Sequence, residues 1–251
     1  LMAISVAIFV LLGIEQIRQQ ARDSFASTVS GVDLIVGAKT GSLNLLLYSV
    51  FRIGSPTDNI SWEAYREIAD SDDVAWAIPI SLGDSHEGYR VVGTTQAFFE
   101  HFSFGKKRRL ALSEGEAFEG TFDAVLGSEV ASALGYSVGT EIILAHGLAS
   151  TSFTKHDNQP FVVVGVLAPT GTPVDQTIHV RLEGIEAMHA GGSTAPIGAF
   201  APASAPATDF SEPESITAFM LGLKSRMSTF NVQRQINQFA GEPLMAILPG
   251  V

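Results

Sequence analysis

The first thirty residues change from an apolar run to an amphipathic pattern. Residues 1–12 are uncharged and almost wholly apolar, although a membrane-spanning helix needs about 20 such residues. Apolar side chains then recur at intervals of three and four residues, which is the pattern of a helix with one apolar stripe. The stripe consists of Ile14, Ile17, Ala21, Phe25 and Val29. We predict one continuous helix over residues 1–30, the end of a transmembrane helix followed by a stalk that packs through this stripe.

Two other interpretations of the apolar run are a secretory signal and a buried core helix. A secretory signal requires a basic start and a small-residue cleavage site, and neither is visible before Gln16. The interpretation as a buried core helix remains open. It would be correct if the rest of the fold enclosed the segment.

Turn residues divide the rest of the chain into short strands and helices. Apolar and β-branched runs predict strands at 32–38, 74–80, 89–92, 124–126, 141–145, 161–167, 176–180, 216–223 and 244–248. Helical spacing predicts helices at 42–51, 128–134, 183–189 and 229–239, one that begins after Ser61 as N-cap, and a short one at Phe98. We expect a polar link at 83–88. Because the elements interleave without regular βαβ alternation, the predicted fold class is α+β.

Composition excludes nucleic acid as the main partner. The 251 residues carry a formal net charge of -11, and the only basic run is Lys106–Arg109. Binding to phosphates needs a basic surface, so we interpret this run as a solvated turn. The chain has no cysteine, which excludes disulfides, thiolate nucleophiles and thiolate metal ligands.

We identify no catalytic site in the sequence. Gly37-Ala38-Lys39-Thr40 lacks the glycine spacing of a phosphate-binding loop and follows a strand-like run. We expect no G-x-S-x-G elbow, there is no H-E-x-x-H sequence, and no pair of carboxylates stands out by its spacing. We therefore predict that the chain is not an enzyme and has no catalytic residues or cofactor. A membrane-anchored hydrolase without a recognisable motif remains the enzyme alternative.

Histidines are the remaining candidates for chemistry. His86, His146, His156 and His179 lie in or beside predicted loops and strand ends, where metal ligands often occur. Imidazole suits zinc or copper, and neighbouring carboxylates could complete a coordination shell. Because the spacings are long and irregular, ordinary surface or half-buried histidines are the other interpretation. A periplasmic zinc-handling element of a metal-transport system is thus an alternative function.

Several segments, taken together, resemble the MacB-like periplasmic domain of FtsX-type ABC-transporter permeases. They are residues 31–37, 92–95 followed by Phe98-Phe99, 125–131 with the glycines at 135 and 139, 161–167, and 172–175. These signals are glycine turns and apolar strands rather than catalytic residues, and they span nearly the whole chain. The Ala- and Pro-rich segment at 191–213 and the number of histidines depart from the family pattern.

The resemblance implies an extracytoplasmic domain of two subdomains behind the transmembrane and stalk helix. A porter-like subdomain would combine residues 31–100 with 214–251. A β-rich subdomain would be inserted at 101–213 and would include a flexible loop at 191–213. The implied location is the bacterial inner membrane, with the domain facing the periplasm between the first two of four membrane helices.

The resemblance also implies a function and partners. The domain would couple ATPase-driven conformational change to substrate handling at the membrane face. The implied partners are a cytoplasmic ABC ATPase subunit that hydrolyses ATP, a second permease copy, a periplasmic accessory protein and the lipid bilayer.

Overall fold

A computed structural model describes residues 8–16, 28–146, 160–191 and 212–249, except the side chains of His146 and of residues 189–191. Within these ranges the helices are α1 (8–16), α2 (Ser42–Ser49), α3 (Trp62–Ala69), α4 (Ala97–His101), α5 (Ser128–Leu134), α6 (Leu182–Gly191) and α7 (Thr229–Asn237). Two 3-10 turns cover Pro173–Gln176 and Arg226–Ser228.

The strands are short, with one exception. In chain order they are β1 (Leu34–Ala38), β2 (Ile60–Ser61), β3 (Val74–His86), β4 (Tyr89–Thr94), β5 (Ser103–Phe104), β6 (Arg108–Arg109), β7 (Leu112–Gly115), β8 (Asp123–Leu126), β9 (Glu141–Ile142), β10 (Ala145–His146), β11 (Phe161–Leu167), β12 (Thr177–Arg181), β13 (Ser215–Ile216), β14 (Ala218–Leu223) and β15 (Leu244–Ile247). Only β3, with 13 residues, is long.

A mixed sheet forms the centre of the described structure. Its strand order is β15-β1-β14-β3-β4-β12-β8-β11-β7, with β10 beside β3 and β9 beside β11. β12 is parallel to β4 and β11 is parallel to β8, whereas the other pairs along this path are antiparallel. This mixture of pairings with separate short helices confirms the α+β class.

β3 connects the two ends of the sheet. Residues Val74 to Ile80 pair with β14, and residues Ser81 to His86 pair with β4. The hairpin-like polar link predicted at 83–88 does join two antiparallel strands, but its bounds are wrong, because residues 83–86 continue β3. Only Glu87 and Gly88 turn the chain, with φ angles of 48° and 85°. Two positive φ angles are the geometry of a tight hairpin whose twist matches that of its strands.

One apolar cluster runs along a single face of the whole sheet. Successive strand residues point to opposite faces, so Ile35 of β1 joins this cluster while Leu34 and Val36 face the other side. Its further members include Tyr48 of α2, Ile78 and Ile80 of β3, Val92 of β4, Phe98 of α4, Val125 of β8 and Leu167 of β11. The other face is covered by α3 and α7 near β1, and by α5 and α6 near β12.

The strand order bears on the proposed subdomains. β15, β1 and β14 come from residues 31–100 and 214–251, whereas β12, β8, β11 and β7 come from 101–213. β4, which belongs to the first range, pairs along its length with β12 of the second. The sheet and the apolar cluster are thus continuous across this boundary, and the division into two subdomains stays a prediction.

Candidate functional site

α1 is exposed and apolar. Phe9 is 78% exposed and Ile14 is 62% exposed. An apolar helix of this kind requires lipid or another protein surface to cover it. Within the described ranges, no helix is both long enough and apolar enough to cross a bilayer. Of the predicted stalk contacts, Ile14 is thus uncovered, while Ile17, Ala21 and Phe25 lie outside the described residues.

A joint attaches the N-terminal segment to the sheet, and we define it as residues 29–33. Val29 and Val32 are buried in the cluster that runs along the sheet. Between them, the Ser30 N–H donates to the Ser103 carbonyl at 2.8 Å, and the Ser103 hydroxyl donates to the Ser30 carbonyl. The Asp33 carboxylate accepts the Leu223 N–H at 2.8 Å. Apolar burial and hydrogen bonds on both sides fix the joint to the head.

The chain enters and leaves the sheet on neighbouring strands. β1 and β15 are antiparallel, with Ile35 opposite Ile247 and Ala38 opposite Leu244. The start of β1 therefore lies beside the end of β15. Segments that precede β1 and follow β15 leave the sheet at one place.

The predicted metal ligands do not form a described site. The His86 Nδ1 donates to the Ile143 carbonyl at 2.7 Å, and the Tyr136 hydroxyl donates to His86 Nε2 at 3.0 Å, so both ring nitrogens are occupied. His179 is buried in the apolar cluster. His156 and the side chain of His146 lie outside the description. Among the described side chains, no group of three or more potential ligands could hold a metal ion, so the zinc alternative has no support.

Residues Gly135 to Gly139 spell G-x-S-x-G, a hydrolase pattern that the motif analysis missed. A nucleophile elbow places its serine between a strand and the helix that follows it. Here the segment lies between helix α5 and strand β9, the reverse order. Ser137 is exposed, and its N–H donates to the Thr140 hydroxyl at 3.2 Å. The pattern therefore lacks the structural context of a catalytic elbow.

His179, a residue of β12, lies at the centre of a group of aromatic side chains. Its ring stacks on Phe98 at 4.8 Å between centroids and meets Phe99 edge-on at 6.3 Å. Neither ring nitrogen has a hydrogen-bond partner among the described residues. Burial is the largest cause that lowers the pKa of His179 to about 3, and the charge of Arg52 lowers it further. The ring is therefore neutral, and it packs as an apolar group.

A cleft of about 410 Å³ contains two arginines, and we call it the arginine cleft. Three segments line it: the loop after α2 (residues 51–54), the β3–β4 hairpin (residues 88–90), and the turn Pro173–Gln176. Arg52 donates to the carbonyl of Ser49 at the end of α2, and Arg90 donates to the carbonyl of Gly54. These two bonds fix one arginine from the loop after α2 and one from β4 in the lining of the same cleft.

The arginine cleft contains two positive charges without a described ionic partner. No described carboxylate forms an ion pair with Arg52 or Arg90. Burial first, and then the charge of Arg90, lower the pKa of Arg52 to about 10, and burial lowers the pKa of Arg90. The φ of Arg52 is 60°, a left-handed conformation that is costly for a residue with a β-carbon. Sequence analysis missed both residues, because no local pattern links a loop arginine to one in β4.

Comparisons with known proteins agree with the geometry of the fold. The family described as MacB-like periplasmic core domain matches residues 1–239. The periplasmic region of MacB from Actinobacillus actinomycetemcomitans is similar with a TM-score of 0.55 and 9% identity, covering 89% of this chain and 92% of that one. The extracellular domain of the noncanonic ABC-type transporter YknZ from Gram-positive bacteria has a TM-score of 0.49 and 11% identity, with coverage of 86% and 98%. No curated protein matches the chain.

Proposed function

Since the chain belongs to the family of MacB-like periplasmic core domains, we propose that its head couples the movement of an N-terminal membrane helix to substrate handling at the membrane face. Membership makes the chain the extracytoplasmic domain of an ABC-transporter permease. The bacterial inner membrane, a cytoplasmic ATPase subunit, a second permease copy and a periplasmic accessory protein belong to the proposal. In it the head does no chemistry of its own.

The observation that carries the proposal is the joint at residues 29–33. A displaced helix can move a head only if the connection between them is stiff. Val29 and Val32 are buried, and Ser30 is bonded in both directions to Ser103, so displacement of the N-terminal segment acts directly on the core. A flexible linker at this point would absorb the movement instead.

Two further features support transmission through the head. The start of β1 lies beside the end of β15, so flanking segments reach the head at one place. The apolar cluster extends from Ile35 of β1 to Leu167 of β11 without leaving one face of the sheet. Close-packed interiors deform little, so a push at one end of the cluster reaches the other.

The test loosens the joint by an insertion within it. A four-residue Gly-Ser insertion between Gly31 and Val32 is compared, in the full permease with its ATPase, with the same insertion between exposed Lys106 and Lys107. Spin labels at Glu67→Cys on α3 of two copies report the distance between the heads with and without ATP. We expect a nucleotide-dependent change in the parent protein and in the control, and none in the Gly31 insertion variant.

A cross-link supplies the opposite perturbation. Ser30 and Ser103 are antiparallel partners, whose α-carbons lie at a spacing that suits a disulfide. Oxidised Ser30→Cys/Ser103→Cys protein should keep the nucleotide-dependent change. The proposal is wrong if the cross-link abolishes that change, or if the Gly31 insertion preserves it.

A further inference from the structure

The arginine cleft holds two arginines that form no ion pair with a described carboxylate. The chain has 26 acidic and 15 basic residues. Some other arginines are paired: Arg66 with Asp70 and Glu212, and Arg181 with Glu183. Arg52 and Arg90 are without such neighbours in the described ranges, although acidic residues are plentiful. The cleft therefore brings two cations together on an acidic protein.

The two guanidinium groups are fixed but not saturated. Each donates to one backbone carbonyl, and a guanidinium has five N–H donors. Each guanidinium therefore has N–H donors beyond its one bond to a backbone carbonyl. Fixing them has a cost, because Arg52 has a left-handed backbone and repels Arg90. An anion between the two groups would turn this repulsion into attraction on both sides.

The wall of the cleft is partly apolar. Ile53 is 58% exposed at the opening, and Phe51, Tyr89 and Pro173 contribute aromatic and aliphatic surface. A volume of about 410 Å³ lies within the range of small-molecule sites, which is roughly 300–1,000 Å³. An inorganic anion would leave most of this space and the apolar wall unused.

We propose that the arginine cleft binds an amphiphilic small molecule through its anionic head, a carboxylate or phosphate group attached to an apolar body. The planar forks of Arg52 and Arg90 match two oxygens of such a head group. The body lies against Ile53, Tyr89 and Pro173. This site is additional to the proposed coupling function, and binding can be measured without the ATPase.

The experiment is calorimetric titration of the full chain in lipid nanodiscs with soluble probes. Hexyl phosphate and hexanoate test the two head groups, inorganic phosphate tests the anion alone, and hexyl glucoside tests the apolar body alone. We expect at least one of the two anionic hexyl probes to bind tenfold or more tightly than inorganic phosphate, and hexyl glucoside not to bind.

Three variants assign the binding to the cleft. Arg90→Gln and Arg52→Asn, which keeps a side chain that tolerates the left-handed backbone, should each weaken binding tenfold or more. Arg66→Gln removes an exposed, paired arginine and should leave affinity unchanged. Thermal unfolding shows whether each variant is folded. Arg90→Lys, which keeps the charge but not the planar fork, should recover part of the affinity that Arg90→Gln loses.

Three results would overturn the proposal. The first is binding of the anionic probes by Arg90→Gln and Arg52→Asn at parent affinity. The second is binding of inorganic phosphate as tight as that of the hexyl compounds, which would indicate a simple anion site. The third is equal binding of hexyl glucoside, which would indicate an apolar surface. None of these results depends on the joint, so they leave the coupling proposal untouched.

Discussion

Replacing His179 by leucine should remove part of the acid sensitivity of the fold. The ring is fully buried against Phe98, and neither nitrogen has a hydrogen-bond partner among the described residues. Burial, followed by the charge of Arg52, lowers its pKa from 6.5 to about 3, and the backbone of nearby Val125 opposes this shift. His179 therefore stays neutral in the folded protein at pH values where the unfolded chain protonates it.

The sign and size of the effect follow from these two pKa values. Between pH 6.5 and about 3 the unfolded chain binds one more proton at this residue, so acid favours unfolding. The contribution of the neutral ring is fully present above pH 6.5 and is lost as the pH falls through this window. At about 1.4 kcal/mol per pH unit, the loss at pH 5 relative to pH 8 is about 2 kcal/mol. Whole domains are stable by only about 5–15 kcal/mol.

Urea unfolding at pH 8 and pH 5 measures this term. The parent protein should lose about 2 kcal/mol more than His179→Leu between the two pH values, because carboxylate effects are common to both proteins. At pH 8 the variant should be within about 1.5 kcal/mol of the parent, because it loses the stacking on Phe98 but leaves no polar group buried without a partner. His101→Gln, at a part-exposed histidine that stacks on Trp76 at 5.2 Å, should keep the parent difference. Equal acid losses in the parent and in His179→Leu would refute the reasoning.

Two further predictions concern stability in urea. The buried Asp175 carboxylate accepts the Thr170 N–H and hydroxyl at 2.9 Å and the Gly171 N–H at 2.7 Å, so Asp175→Asn should cost about 2–3 kcal/mol; an unchanged midpoint would contradict this. Gly115 and Gly135 share a φ of 68°, but a β-carbon would lie 2.0 Å from the Val164 carbonyl oxygen only at Gly115. Gly135→Ala should cost about 1–2 kcal/mol and Gly115→Ala clearly more, and equal costs for the two variants would contradict this.

Local patterns in the sequence located most elements. The apolar run at 161–167 coincides with β11, and the helix predicted at 128–134 coincides with α5. Ser61 caps α3 as predicted, since its hydroxyl accepts the Ala64 N–H at 3.2 Å. These features depend on neighbours within a few residues, so a single sequence contains the information.

Features that depend on distant residues could not be predicted in this way. Asp84 and His86 are polar but buried within β3, where β10 pairs beside them and the His86 ring bonds to the Ile143 carbonyl and the Tyr136 hydroxyl. The Ser61 N–H donates to the Glu242 carboxylate at 3.1 Å. In a capping box this N–H is bonded instead by a glutamate in the first turn of the same helix. The arginine cleft likewise combines residues 52 and 90, which only the folded chain brings together.

The antiparallel pairing of β1 with β15 also decides how the head responds to load. If the segments that flank these strands were pulled apart, the hydrogen-bonded pairs between β1 and β15 would break one after another, beginning with Ile35 and Ile247. If both segments were pulled in the same direction, the force would be shared by all the hydrogen-bonded pairs, and the head would move as a unit. The fold is thus suited to flanking segments that move together and is weak against segments that move apart.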